Sequence, residues 1–135
     1  NAVIGGEGNG GVIYPELHYG RDALVGIALF LSNLAEKNIS SLNLRNSYPN
    51  YYISKNKLDL DLNTDIDYIF SHLKNKYSKN DINLVDGLKI DFDSGWVHLR
   101  RSNTEPIIRI YSESSSKEKA DELAINFINQ IKKII

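Results

Sequence analysis

The run from Arg100 to Pro106 combines several side chains that bind anions. It reads Arg-Arg-Ser-Asn-Thr-Glu-Pro, so guanidinium, hydroxyl and amide groups follow one another within a few positions of a turn. These groups and the N–H groups of a turn donate hydrogen bonds to phosphate oxygens, and arginine can donate two in parallel. We therefore predict a phosphate-binding loop. The alternative interpretation is a polar turn whose arginines are simply solvated.

A second candidate is the glycine-rich segment from Gly5 to Gly11, which reads Gly-Gly-Glu-Gly-Asn-Gly-Gly. It contains the spacing G-x-G-x-x-G, but the predicted helix does not open at the last glycine and the acidic residue of a dinucleotide site is missing. The Gly-Lys-Ser/Thr of a P-loop is missing too. What remains is a loop that presents Glu7 and Asn9, whose acceptor and donor groups suit sugar hydroxyls. The alternative is a turn with both side chains in water.

Hydrophobic alternation predicts the elements that position the Arg100 loop. Apolar and polar side chains alternate through 88–92 and again through 96–100, on either side of a turn at 93–95. This pattern is typical of a β-hairpin with one buried face. The polar positions that share the outer face of this hairpin are Lys89, Asp91, His98 and Arg100, of which Lys89, His98 and Arg100 are basic or titratable to a cation.

The remaining elements of this part give the order β-α-β-β-β-α. That order indicates an α+β fold, in which helices cover one face of a largely antiparallel four-stranded sheet. Apolar residues at helical spacing predict the two helices, and each has a possible capping box at its start. The predicted elements are strands at 51–55 and 107–111, a helix capped by Asn63 or Thr64 with Thr64 and Asp67 as the box, and a final helix starting near Ser115 or Ser116 with Ser115 and Glu118 as the box.

The first part of the chain is organised differently. A short strand is predicted at 2–4, then the glycine loop, then a helix at 21–37 that is apolar nearly all the way round and therefore belongs inside something larger. We interpret residues 1–45 as the strand-loop-helix remnant of an α/β domain and residues 46–135 as a complete second domain. Since the chain opens at Asn1 and contains no methionine, we expect an excised piece of a longer protein.

Composition excludes several classes of protein. The 135 residues include 16 Lys and Arg against 17 Asp and Glu, which argues against binding nucleic acid or a membrane through bulk charge. There is no cysteine and only three scattered histidines, so we expect no metal site. The longest apolar run, 23–31, is too short to span a bilayer, and no signal peptide opens the chain. We expect a cytoplasmic protein.

Both loops resemble motifs of the α-D-phosphohexomutases. Arg100–Pro106 is similar to the R-x-S-N-T-E-P phosphate-binding loop of their fourth and last domain, and Asp86-Gly87 and Gly95-Trp96-Val97 match its surroundings. Gly5–Gly11 resembles the sugar-recognition loop at the end of the third domain, usually written G-E-x-S-G. The two motifs stand in the right order and at the right separation, and the resemblance covers essentially the whole chain.

The resemblance implies a role for each matching position. The residues matching those that grip the substrate phosphate are Arg100, Ser102, Asn103 and Thr104, and those matching the sugar contacts are Glu7 and Asn9. Arg101 falls on a variable position of the motif. Asn9 replaces the usual serine and Gly11 stands where a histidine often follows, so the hexose remains open between glucose, mannose and glucosamine.

For the complete enzyme, the resemblance implies a mutase of carbohydrate metabolism. Such enzymes interconvert hexose 1-phosphate and hexose 6-phosphate through a phosphoserine and a bisphosphate intermediate, with Mg²⁺ assisting. The family's serine loop (T-A-S-H-N-P) and metal loop (D-G-D-x-D-R) do not occur in this sequence. We therefore expect that this chain holds no catalytic residue and is inactive by itself. Its partner would be the N-terminal catalytic domains of the same protein. We also expect a hinge between the domains near Tyr48-Pro49.

Two alternatives belong to other functional classes. The first is a noncatalytic module that binds a sugar phosphate, or a partner or RNA on its open sheet face. RNA recognition would need exposed aromatic residues on the central strands, whereas Trp96 is the only ring among the outward positions of the predicted hairpin. The second is a sugar-phosphate sensor whose parent protein has lost its catalytic half.

Overall fold

A computed structural model describes residues 2–135 of the chain. The described residues form two compact units, one ending at Pro49 and the other beginning at Asn50. No helix in residues 2–135 is both long and apolar enough to cross a membrane.

The first unit opens with a very short hairpin around the glycine loop. Strand β1 (Gly5–Gly6) pairs antiparallel with strand β2 (Val12–Ile13). The prediction of a strand at 2–4 is wrong, because the residues that lie opposite β2 in the ladder are the two glycines. The glycine loop is therefore the turn of this hairpin, and its two ends are held together by backbone hydrogen bonds.

Two helices complete the first unit, α1 (Ala23–Lys37) and α2 (Ser41–Asn46). Asp22 caps α1 by accepting hydrogen bonds from the backbone N–H groups of its first turn. No residue of α1 is buried, although its sequence is largely apolar. The large apolar side chains that α1 exposes are Leu24, Ile27, Leu29, Phe30 and Leu31.

The second unit is a five-stranded antiparallel sheet in the order β3-β7-β6-β5-β4. Each strand pairs with its neighbours along most of its length, and β3 and β4 form the two edges. The α+β class with a largely antiparallel sheet is confirmed. The strands are β3 (Tyr52–Asp59), β4 (Asp81–Asn83), β5 (Leu88–Phe92), β6 (Gly95–Arg101) and β7 (Ile107–Ser114).

The predicted number of four strands is wrong, because β4 was missed. β4 has three residues, of which only Ile82 is apolar, so it is too short to show a repeating hydrophobic alternation. It forms because Asp81, Ile82 and Asn83 lie opposite β5 and complete the hydrogen bonds of that strand. Pairing with a neighbour, rather than intrinsic propensity, therefore makes this edge strand.

Two helices pack on one face of the sheet, α3 (Ile66–Lys76) and α4 (Lys117–Ile134). The sheet contributes its buried positions and the helices contribute one apolar stripe each. The fully or almost fully buried core consists of Ile69, Leu73, Leu88, Ile90, Val97, Leu99, Ile108, Ile110, Ala124, Phe127 and Ile131.

The helix caps differ from the predicted capping boxes by one residue. Asp65 caps α3 by accepting from the N–H of Tyr68, and Ser116 caps α4 by accepting from the N–H of Lys119. Cap-forming residues stand side by side at both sites, Asn63, Thr64 and Asp65 at one and Ser115 and Ser116 at the other. Composition alone does not choose between such neighbours.

Candidate functional site

The predicted phosphate loop connects two central strands of the sheet. It runs from Ser102, directly after β6, to Pro106, directly before β7. The N–H of Ser102 donates to the carbonyl of Ile107 at 3.1 Å, which closes the base of the loop. The hydroxyl oxygens of Ser102 and Thr104 lie 3.4 Å apart, and the backbone N–H of Thr104 donates to the hydroxyl oxygen of Ser102. Hydroxyl and amide donors thus gather at the tip of a closed turn.

Arg100 precedes this loop and lies on the open face of the sheet. Its neighbours on β6, Val97 and Leu99, are buried in the core, so alternation turns Arg100 to the opposite face. One terminal nitrogen of its guanidinium donates to the Asp86 carboxylate at 2.9 Å. The side chain remains 44% exposed, so solvent and an anion can reach it. The structure therefore brings Arg100 to the same end of β6 as the hydroxyls of the loop.

Arg109 on β7 lies directly opposite Arg100 in the ladder. It is exposed, and no carboxylate within residues 2–135 forms an ion pair with it. Two facing guanidinium groups repel each other unless an anion lies between or near them. Arg109 was not predicted as a site residue. Alternation along β7, combined with the antiparallel register, places it beside Arg100.

Arg101 lies on the other side of the strand from Arg100. Its guanidinium donates to Asp67 in the first turn of α3 at 2.9 Å. The two adjacent arginines are almost equally exposed, at 44% and 47%, and each pairs with one carboxylate at the same distance. Only Arg100 shares a face with Arg109, so Arg101 serves as a matched control for the site.

The open face of the sheet also carries two aromatic rings, Trp96 on β6 and Tyr111 on β7. Trp96 belongs to the hairpin of β5 and β6, whereas Tyr111 lies on the next strand, β7, opposite His98 in the ladder. A lysine ammonium lies over each ring, Lys89 at 5.5 Å from the centroid of Trp96 and Lys55 at 5.8 Å from that of Tyr111. The rings are therefore engaged with cations within this face.

The glycine loop of the first unit holds Glu7 and Asn9 against each other. The Asn9 amide donates to Glu7 Oε2 at 2.7 Å, and the side-chain oxygen of Asn9 accepts from the Gly11 N–H at 2.9 Å. Arg21, just before α1, donates to the same Glu7 oxygen at 3.1 Å. Sequence reasoning missed Arg21, since nothing in the pattern links positions 14 apart. The structure therefore presents Glu7 and Asn9 as one exposed polar group.

These contacts lower the pKa of Glu7. The hydrogen bond from Asn9 is the largest cause, and the Arg21 charge is the next. The pKa of Glu7 is therefore lower in the folded state than in the unfolded state. At pH values above the unfolded-state pKa, the ionised carboxylate stabilises the folded loop. This contribution is lost as the pH falls through the folded-state pKa.

We predict that Asn9→Ala and Arg21→Gln each raise the pKa of Glu7, because each removes a contact that favours the ionised carboxylate. Carboxyl ¹³C chemical shifts of Glu7, followed through an acid titration of the wild type and both variants, measure this directly. A titration midpoint of Glu7 that does not move in Asn9→Ala would contradict the hydrogen bond as the main cause.

The described part of the chain does not fit a metal site. Within residues 2–135, no three His, Cys, Asp or Glu side chains come together in a way that could hold a metal ion. Mg²⁺ requires several oxygen ligands around one point. No step involving this chain is therefore assigned to a metal.

Two family models match the chain in succession. The model described as phosphoglucomutase/phosphomannomutase, alpha/beta/alpha domain III, matches residues 1–51, and the one described as phosphoglucomutase/phosphomannomutase, C-terminal domain, matches residues 67–130. The glycine loop lies in the first match and the phosphate loop in the second. The chain belongs to the phosphoglucomutase/phosphomannomutase family.

Curated relatives support this membership over the full chain. A phosphoglucosamine/phosphogalactosamine mutase of Sulfurisphaera tokodaii is 39% identical over 137 residues, covering 100% of this chain and 29% of the relative. A phosphoglucomutase/phosphomannomutase of Thermococcus kodakarensis is 41% identical over 124 residues, covering 90% of this chain and 27% of the relative. The chain thus spans less than a third of the length of these relatives.

Solved structures agree with the fold. A phosphoglucomutase/phosphomannomutase family protein from Burkholderia thailandensis has a TM-score of 0.70 at 26% identity, covering 98% of this chain and 28% of that one. An N-acetylphosphoglucosamine mutase of Aspergillus fumigatus, solved with GlcNAc-6P and magnesium, has a TM-score of 0.50 at 19% identity, covering 84% and 23%. At 19% identity, the similarity to the second structure supports only the fold.

Proposed function

We propose that this chain supplies the phosphate-binding loop and a sugar-contacting loop of a phosphohexomutase. The parent enzyme interconverts hexose 1-phosphate and hexose 6-phosphate through a phosphoserine and a bisphosphate intermediate. The observation that carries the proposal is the gathering of the Arg100 guanidinium and the Ser102 and Thr104 hydroxyls at one end of β6, on a chain that belongs to this family.

The phosphate is bound by charge and by directed hydrogen bonds. Arg100 donates from its guanidinium, Ser102 and Thr104 from their hydroxyls, and Asn103 from its amide at the exposed tip of the loop. Hydrogen bonds from a charged donor are stronger than neutral ones. The backbone hydrogen bond that closes the loop limits its motion, so less entropy is lost on binding.

The other assignments concern the parent enzyme. Glu7 and Asn9 contact sugar hydroxyls of the substrate. The boundary between the sugar-contacting domain and the phosphate-binding domain lies between residues 45 and 46. The serine nucleophile and the Mg²⁺ ligands belong to N-terminal catalytic domains. The enzyme works in the cytoplasm. The relatives named above are mutases of phosphorylated glucose, mannose, glucosamine and galactosamine, which supports a hexose phosphate as substrate.

An amide NMR titration of the 135-residue chain with inorganic phosphate, glucosamine 6-phosphate and mannose 6-phosphate tests the binding. We expect shifts centred on residues 100–104. Arg100→Ala removes a charged donor and is expected to weaken phosphate binding by roughly 10- to 100-fold, the equivalent of about 1.5–3 kcal/mol. Arg101→Ala, the matched control, is expected to change affinity less than about twofold, because its ion pair is a surface one.

Two outcomes would contradict the proposal. Equal losses in Arg100→Ala and Arg101→Ala would show that net charge alone attracts the phosphate. Mutase turnover by the purified chain would contradict the assignment of the catalytic serine to other domains. A coupled assay that starts from hexose 1-phosphate measures that turnover.

A further inference from the structure

Asp86 lies at the phosphate site, yet neither the loop motif nor the proposed function assigns it a role. It sits in the turn before β5, the strand that pairs with β6 on the side away from β7. Its carboxylate accepts from a terminal nitrogen of Arg100 at 2.9 Å. Arg100 therefore has Asp86 on its β5 side and Arg109 across the ladder on its β7 side.

The backbone around Asp86 is held against β6 by two independent contacts. Gly87 has a φ of +89°, and a Cβ at this position would come within 2.2 Å of the Leu99 carbonyl oxygen and 3.3 Å of the Arg100 Cα. The turn can approach β6 this closely only with glycine. A ring nitrogen of His98 also contacts the Asp86 carbonyl oxygen. The position of the carboxylate is thus set by the strand that carries Arg100.

We propose that Asp86 is a positioning residue for anion binding, which holds the Arg100 guanidinium in its binding orientation. Guanidinium has five N–H donors in a rigid fork, and the contact with Asp86 uses one terminal nitrogen. Nε and the other terminal nitrogen remain available to a phosphate. Without the carboxylate, repulsion by Arg109 and rotation of the side chain would move the fork away from the loop. This inference rests on the proposed phosphate-binding function.

The test compares two ion pairs of the same length on adjacent arginines. Asp86→Ala in the 135-residue chain is expected to weaken binding of inorganic phosphate by roughly three- to tenfold, and Asp86→Asn by less, since its amide oxygen still accepts from Arg100. Asp67→Ala removes the partner of Arg101 and is expected to leave the affinity within about twofold. The melting temperature of each variant is recorded alongside.

A spectroscopic readout separates positioning from loop folding. Arginine side-chain ¹⁵N–¹H signals report rotation of the guanidinium, and the Arg100 signal is assigned with Arg100→Lys. We expect the Arg100 signal to broaden and shift in Asp86→Ala but not in Asp67→Ala. If Asp86→Ala lowers the melting temperature, the comparison is made with Asp86→Asn instead. Weaker binding of inorganic phosphate by Asp86→Asn, at a melting temperature equal to that of the wild type, supports the inference.

Each failure has its own meaning. Unchanged phosphate affinity in both Asp86 variants, or an equal loss in Asp67→Ala, would overturn the positioning role while Arg100→Ala still weakens binding. If Arg100→Ala itself leaves phosphate affinity unchanged, the proposed function fails, and the positioning role fails with it.

Discussion

Replacing Gly87 with alanine is expected to lower the free energy of unfolding by about 3–5 kcal/mol. The added Cβ would lie 2.2 Å from the Leu99 carbonyl oxygen, and the backbone φ of +89° is one that other residues rarely adopt. The neighbour is backbone of a central strand, so it cannot move aside without disturbing the β5–β6 ladder. A small domain has roughly 5–15 kcal/mol of stability in total, so this loss is a large share.

Thermal unfolding of the 135-residue chain measures this effect. For a domain of this size, about 3 kcal/mol corresponds to a fall in melting temperature of more than about 10 °C. Gly8→Ala is the control for glycine substitution as such, since nothing lies within 4 Å of the point that a Cβ would occupy there. A fall in Gly87→Ala no larger than in Gly8→Ala would show that the turn relaxes away from β6 without cost.

The hairpin at the centre of the sheet could be predicted because its alternation is uninterrupted. Leu88, Ile90, Val97 and Leu99 are all fully buried, so the residues between them lie on the open face. A period of two in the sequence maps directly onto two faces of a strand. The outward position of Arg100 can therefore be predicted from the sequence alone.

Contacts that depend on pairing register could not be predicted in the same way. Arg109 becomes a neighbour of Arg100 only once β7 is aligned with β6, and Asp86 only once the turn at Gly87 is folded against that strand. The pairing of Arg21 with Glu7 likewise joins two distant positions. These residues have polar side chains whose partners are set by register and turn geometry, about which hydrophobic periodicity carries no information.

Phe127→Ala is expected to destabilise the second unit by about 3–5 kcal/mol, because it leaves a cavity at the centre of the core. Phe127 on α4 is fully buried and stacks on Tyr77, with ring centroids 5.2 Å apart, while the ring centroid of Phe92 lies 6.1 Å away. Tyr77 and Phe92 also contact each other edge to face at 5.6 Å. Removing Phe127 therefore breaks two of the three contacts in this aromatic cluster.

Urea unfolding followed by the fluorescence of Trp96, the one tryptophan of the chain, measures the loss. Ile125→Ala on the same helix is the control, since Ile125 is 52% exposed and its truncation is expected to cost less than about 0.5 kcal/mol. Equal losses in the two variants would contradict the assignment of Phe127 to the core.

Phe127→Ala also tests whether packing on one face of the sheet affects phosphate binding on the other face. Phe127 packs on the helix-covered face, whereas Arg100 lies on the open one. Below its unfolding transition, Phe127→Ala is therefore expected to bind inorganic phosphate as the wild type does. Arg100→Ala is expected to show the reverse, weak binding at nearly unchanged stability, since an exposed ion pair contributes about 0–1 kcal/mol. If Phe127→Ala weakened binding while still folded, the core would have to transmit its packing to the loop between β6 and β7.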